Sequence, residues 1–238
     1  MSALPTRTDE AWRYSDLKAV TALWPVPPAT VIDVASGETA RRHLIAESGI
    51  HDFVITVSAG ARMNFHVLNA TDAYGRIAID VTLHNGAHFE FGGVQIGGGL
   101  ANLEIVTTVR HIEPNATSRQ TVRSVLGGTA TGSYLGKVAV ARDAQKTDSV
   151  QSVKAMLLTR TATANAKPEL EIYADDVKCA HGATVGELDK SALFYLAARG
   201  LPPMEAQTLL LRAFVAEVFE GADPNLEAAA LKALENLS

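Results

Sequence analysis

The middle of this 238-residue chain, from Ala29 to about Gly186, leaves few folds open. About ten short runs of alternating apolar and polar residues follow one another there, with no helical pattern between them. Ile77, Ile79, Val81 and Leu83 alternate with Ala78, Asp80 and Thr82. Leu103, Ile105, Thr107 and Val109 alternate with Glu104, Val106 and Thr108. Phe53, Ile55 and Val57 make a third row, and Met63, Phe65 and Val67 a fourth. Successive side chains on a strand leave from opposite faces, so each run buries one row and exposes the other. A doubly wound α/β sheet is excluded, because its crossovers need helices. A sandwich, a barrel and a solenoid remain. Asn85-Gly86 is the one good hairpin signal. Most joints are glycine corners instead, such as Gly92-Gly93, Gly97-Gly98-Gly99 and Gly127-Gly128. Corners without reversals suit a coil that keeps turning one way, but no strict repeat period is visible.

The flanks differ. Residues 1–28 read as an arm in which Thr8 or Asp9 caps a brief helix through Trp12, Tyr14 and Leu17, stopped by Pro25, Pro27 and Pro28. Trp12 and Trp24 are expected to pin this arm to the body. From Leu188 the period becomes helical. Asp189 caps a helix to Arg199, and Gly200 with Pro202 ends it. A second helix begins near Pro203 and carries Leu211, Phe214, Val215 and Val218 as one apolar stripe. Asp223-Pro224 opens a third, with Leu226, Ala230, Ala233, Leu234 and Leu237 on one face. The chain thus divides into an arm (1–28), a β body (29–187) and a helical subdomain (188–238).

Composition closes off several roles. The net charge is -5 and the 21 Lys and Arg are scattered, which argues against nucleic acid as the main partner. No run approaches the ~18 apolar residues a membrane helix needs. One cysteine permits no internal disulfide framework, and the N-terminus lacks the apolar core of a secretory signal. The expected compartment is the reducing cytoplasm.

The chemical candidates are few. TGSYLGKV departs from a phosphate-binding loop at Thr131, where glycine is required, and at Val138, where Ser or Thr should follow Lys137. ATP hydrolysis by that chemistry is therefore not expected. His84, His88 and Glu90 flank the Asn85-Gly86 turn in no ligand geometry, and His111 continues the parity of a core row. Adjacent Asp175 and Asp176 would point to opposite faces of a strand and cannot act as a facing acid pair. Cys179 and His181 share parity, with Val177 before them, so a thiol and an imidazole leave one face together. Spacing alone favours a small buried hydrophobe and a turn histidine, since two ligands fall short of the three or four zinc usually takes.

The residues carry more than their spacing. Ala144-Gln145-Lys146-Thr147-Asp148, Gln151, Met156-Leu157-Leu158, Lys167-Pro168-Glu169-Leu170-Glu171-Ile172, Ala174-Asp175-Asp176-Val177-Lys178-Cys179 and His181-Gly182-Ala183-Thr184-Val185-Gly186 strongly resemble the SufB/SufD family of iron–sulfur cluster assembly proteins. So do Leu193-Phe194-Tyr195-Leu196 with Arg199-Gly200. The N-terminal Leu4-Pro5-Thr6-Arg7 and Trp12-Arg13-Tyr14-Ser15-Asp16-Leu17, and His111 with Ser118 and Gln120, look like the SufD side, as does the single cysteine. The resemblance implies a mainly β chain, a right-handed parallel β-helix with a short N-terminal arm and a C-terminal all-α helical subdomain. It implies a non-enzymatic scaffold joining a SufB-like subunit to a SufC-like ABC ATPase, with the C-terminal helices, at Leu211, Phe214 and Val218, docking the ATPase. ATPase closure would twist the paired β-helices and expose the place where a cluster is built. His181 falls where the family is thought to ligate or shelter the nascent cluster opposite a SufB cysteine, and Cys179 matches the cysteine two before it. No cofactor is expected to be tightly bound to the isolated chain, only a transient iron–sulfur cluster at the interface of the complex; whether the isolated chain forms a homodimer is left open by the sequence. It is shorter than the family, mainly ahead of and within the early β-helix, which points to a reduced N-terminal helical region. Two alternatives stand beside this. A polysaccharide-active β-helix enzyme would need a groove of several acids and a base, and no such cluster is visible. A SufB-like homodimer carrying its own cluster would be expected to hold more cysteines.

Overall fold

The structure, a computed structural model, describes residues 3–237. Twelve strands follow the arm: β1 (Thr30–Val34), β2 (Thr39–Ala46), β3 (Gly49–Val57), β4 (Arg62–Asn69), β5 (Tyr74–Leu83), β6 (His88–Gly97), β7 (Asn102–His111), β8 (Thr117–Leu126), β9 (Thr131–Val140), β10 (Asp148–Leu157), β11 (Thr163–Ile172) and β12 (Lys178–Glu187). The odd-numbered strands form one six-stranded sheet in chain order and the even-numbered strands another, and the neighbours pair in parallel. The chain therefore winds alternately through two facing sheets as a parallel β-helix. Thr39 lies opposite Arg62, Arg62 opposite His88, His88 opposite Thr117, Thr117 opposite Asp148, and Asp148 opposite Lys178. Successive coils thus take 23, 26, 29, 31 and 30 residues.

One corner shows what stacks the coils. Gly37, Gly60, Gly86, Asn115 and Lys146 occupy equivalent places between odd and even strands, all with left-handed backbone, φ 62 to 75°. Each donates its amide to a carbonyl one coil further on, the acceptors being Ala59, Asn85, Pro114, Gln145 and Asp176. That backbone costs a residue with a Cβ on the order of 1 kcal/mol, so glycine fills three places and asparagine, which tolerates it, a fourth. Asn85-Gly86 accordingly turns a corner and makes no hairpin, since β5 and β6 belong to different sheets.

The inward rows are those that the alternation marks. Ile77, Ile79, Val81 and Leu83, with Met63, Phe65, Val67, Ile55 and Val57, pack into one core cluster. Phe53, Phe65 and Phe91 stack edge to face through it, at 5.0 and 6.4 Å between centroids. His111 closes its row and is fully buried.

The arm differs from the expected single helix. A one-turn 3₁₀ helix at Glu10–Trp12 comes first, then α1 (Leu17–Ala22), begun by the Asp16 carboxylate, which accepts from the amides of Lys18 and Ala19. The two tryptophans do anchor it. Trp12 meets Trp24 edge to face and lies under the Arg76 guanidinium at 3.8 Å. Arg76 donates to the buried Glu104 carboxylate at 2.5 Å, and the Ser15 hydroxyl donates to the same oxygen at 2.7 Å. This clasp holds the arm to the outer face of the odd sheet.

Beyond β12 come α2 (Lys190–Ala198), α3 (Pro203–Ala216), a 3₁₀ turn at Glu217–Phe219 and α4 (Pro224–Glu235). Asp189 and Asp223 cap α2 and α4 as the sequence predicts. The apolar stripe of α3, however, does not form an open docking face. Leu211, Val215 and Val218 are buried, and Phe214 is partly buried, against Leu68, Val94, Ile96 and Val125 on the outer face of the even sheet. Removing that much apolar surface from water is worth ~1.5–3 kcal/mol per large side chain, which outweighs leaving it free. Arg123 of β8 fixes the contact, donating to the Ser152 carbonyl at 2.9 Å and to Glu217 at 2.6 Å. These helices share a core with the solenoid.

Candidate functional site at the open end of the coil

The last coil is unfinished. β11 pairs only with β9 and β12 only with β10 among the described residues, so one edge of each has no protein partner. In β10 the buried inward residues include Ser149, Gln151 and Val153. The register carries that row onto Cys179, His181 and Ala183 in β12. Cys179 is half-buried against Val138, Val140, Ala144 and Ala174, whereas His181 is exposed. The sequence expected Val177 on the same strand; it lies just ahead of β12, after the bend at Asp175 and Asp176. There Asp176 pairs with Lys146, and its amide donates to the Gln145 side chain.

Behind these two residues a polar vein runs into the solenoid. Ser118 and Gln120 in β8, Ser149 and Gln151 in β10, and Cys179 and His181 in β12 stand directly above one another. His111 Nε2 lies 2.9 Å from the Ser118 hydroxyl, which lies 2.8 Å from that of Ser149. The Thr107 and Tyr134 hydroxyls donate to Gln120 Oε1 at 2.7 and 3.2 Å, and the Gln151 amide donates to the Tyr134 oxygen at 3.3 Å. Burial sets the protonation of the vein: it pulls His111 down to about 4 and raises Tyr134 above its ordinary range, leaving both neutral at pH 7. Burial also raises the Cys179 thiol, with the Asp148 charge adding to it and a hydrogen bond from the Ser149 backbone opposing.

Of the residues named from the sequence, Cys179 and His181 are brought together on one inward row. Leu211 and Phe214 of α3 and Val218 of the following 3₁₀ turn are not part of this site and pack against the outer face of the even sheet. His84 and His88 stay apart from it, His84 paired with Glu113 at 3.0 Å and His88 hydrogen-bonded to Thr117 at 2.7 Å. Among the described residues no group of three or more His, Cys, Asp and Glu could hold a metal ion. Sequence reasoning missed the vein as a feature. Its signal was a polar-x-polar triplet returning after 31 and 30 residues: Ser118-Arg119-Gln120, Ser149-Val150-Gln151, Cys179-Ala180-His181.

The class is set by a parallel β-helix that carries a thiol and an imidazole on one row of an unpaired edge strand. The profile of the SUF system FeS cluster assembly family, SufBD core domain, matches residues 48–214, and the chain belongs to that family. It is similar to the iron–sulfur cluster assembly protein SufD of Escherichia coli, 40% identical over 114 residues, 48% of this chain and 27% of that one. A SufBD family protein of Synechocystis is 32% identical over 167 residues, 70% of this chain and 35% of its own length. SufD of Bacillus subtilis is 28% identical over 150 residues, 63% of this chain and 32% of that protein. The matched part therefore spans about a third or less of these relatives. No helix is long and apolar enough to cross a membrane among the described residues.

Proposed function

We propose that this chain is a SufD-like scaffold subunit that joins a SufB-like subunit to a SufC-like ABC ATPase in a reducing cytoplasm. It is not itself an enzyme; ATP hydrolysis belongs to the ATPase. The SufB-like partner completes the open edge of β11 and β12. Cys179 and His181 then face the seam where an iron–sulfur cluster is assembled as cargo. The observation that carries this reading is the placement of two metal-competent donors on the inward row of an unpaired edge strand. Two donors fall short of a tetrahedral set, and a partner cysteine supplies the remainder. In isolation a second copy can take the same edge, so the lone chain is expected to pair with itself.

The ATPase contact moves to the outward side of the C-terminal helices. α2 buries no residue, and its Phe194 and Tyr195 are 76% and 56% exposed. Met204 and Leu209 of α3 are exposed as well. Such aromatic groups are typical anchors of a protein interface.

The test is co-expression with a SufB-like and a SufC-like subunit under reducing conditions, followed by subunit stoichiometry and iron content. A stable three-component complex is expected. His181→Ala should leave that complex intact but reduce its cluster content at least tenfold, and Cys179→Ser should do less. Absence of any complex, or normal cluster content in the His181→Ala complex, overturns the reading. A stable chromophore on the isolated pair would point instead to a SufB-like carrier.

A further inference from the structure

The two ends of the solenoid are chemically unlike. At the open end the inward row of β12 holds Cys179, His181, Ala183 and Val185 and meets a charge only at its last residue, Glu187. At the opposite end the edge strands are β1 and β2. In β2, Ala40 and Leu44 pack on the core, opposite Met63 and Val67. Arg42 lies between them on the same parity, opposite the buried Phe65. It lines an open mouth of about 430 Å³ together with Ile32, Leu44, Phe53 and Phe65. Its guanidinium is exposed and donates to the Arg41 carbonyl at 2.9 Å. The acid on the rim, Asp33, sits on the outward parity of β1, in register with Thr56.

A charge at this position has no use in holding the core and a definite effect on anything that would cover it. A further coil laid on β1 and β2 would enclose Arg42 among apolar side chains. Burying an unpaired charge costs several kcal/mol, more than a short parallel or antiparallel edge returns. We propose that Arg42 is a gatekeeper which keeps this end of the rod from pairing with the same end of a second copy. A second copy is the occupant to be barred because its own end matches in length. β1 and β2 have five and eight residues, whereas β11 and β12 at the far end have ten each. Apolar mouths would also meet face to face. Association is thereby directed to the Cys179 end.

The inference stands apart from the reading of that other end, because the comparison is between a variant and its parent. Arg42→Val and, as control, Arg41→Val on the outward row are measured by sedimentation and light scattering over a range of concentrations. The wild type should be one species, a monomer or a pair. Arg42→Val should at least double that mass: a monomer becomes a pair, and a pair becomes an open series of alternating contacts. Arg41→Val should leave it unchanged. Arg42→Gln, neutral and of similar reach, is expected to act in the same direction should the valine variant not fold. The proposal is overturned if a folded Arg42 variant keeps the wild-type mass, if Arg41→Val has the same effect, or if the wild type already grows beyond a pair. Whether wild type is a monomer or a pair, and whether it joins its partners, reads on the other end alone.

Discussion

His111 is an imidazole kept neutral by its surroundings, and that gives it a pH signature. Its ordinary value of 6.5 is pulled down to about 4 in the folded chain by burial. As pH falls below 6.5 the unfolded chain takes up a proton that the folded chain refuses until about 4. The contribution is intact above 6.5 and declines through that window, amounting to roughly 3 kcal/mol by pH 4. Urea titrations at intervals between pH 7 and 4 should show this loss in wild type and a shallower slope in His111→Gln. Equal slopes would place the histidine in contact with water. The parity of Leu103 to Val109 made the burial of His111 readable from sequence. Its link through Ser118 to Ser149 was not, because those contacts join residues from three different strands and depend on register.

Strands were legible and stacking was not, for a reason visible in the corner ladder. Coils of 23 to 31 residues blur any fixed period. The equivalent left-handed places are held by glycine, asparagine and lysine in turn, so no single letter repeats. The C-terminal helices show the same limit. Caps at Asp189 and Asp223 are local and were read correctly. The periodicity of α3 marked an apolar face without saying what covers it, and the even sheet does. A paired experiment separates the inward and outward faces of these helices. Leu211→Ala should cost about 2–5 kcal/mol in denaturant unfolding, as large-to-small changes in a packed core do. The double change Phe194→Ser with Tyr195→Ser should alter stability by less than ~0.5 kcal/mol, as exposed substitutions do, yet abolish capture of the ATPase subunit. Retention of that capture would locate the contact elsewhere.

Taken as one body, the protein is a rod whose sides are occupied and whose ends differ. Helices cover one broad face, the arm straps the other, and a polar vein opens at one tip only. The clasp of Trp12 and Trp24 with Arg76 and Glu104 lends the rod a built-in optical tag. Both tryptophans of the chain lie in the arm, and none in the solenoid or the C-terminal helices. Indole emission therefore watches the strap alone, while far-ultraviolet dichroism watches the coils together with the C-terminal helices. Heating should shift the emission to longer wavelength before the dichroism fades if the strap lifts first, and the two traces should coincide if strap and coils let go together. Glu104→Gln, which weakens the charge beneath the strap, should bring the emission change to lower temperature and move the dichroism less.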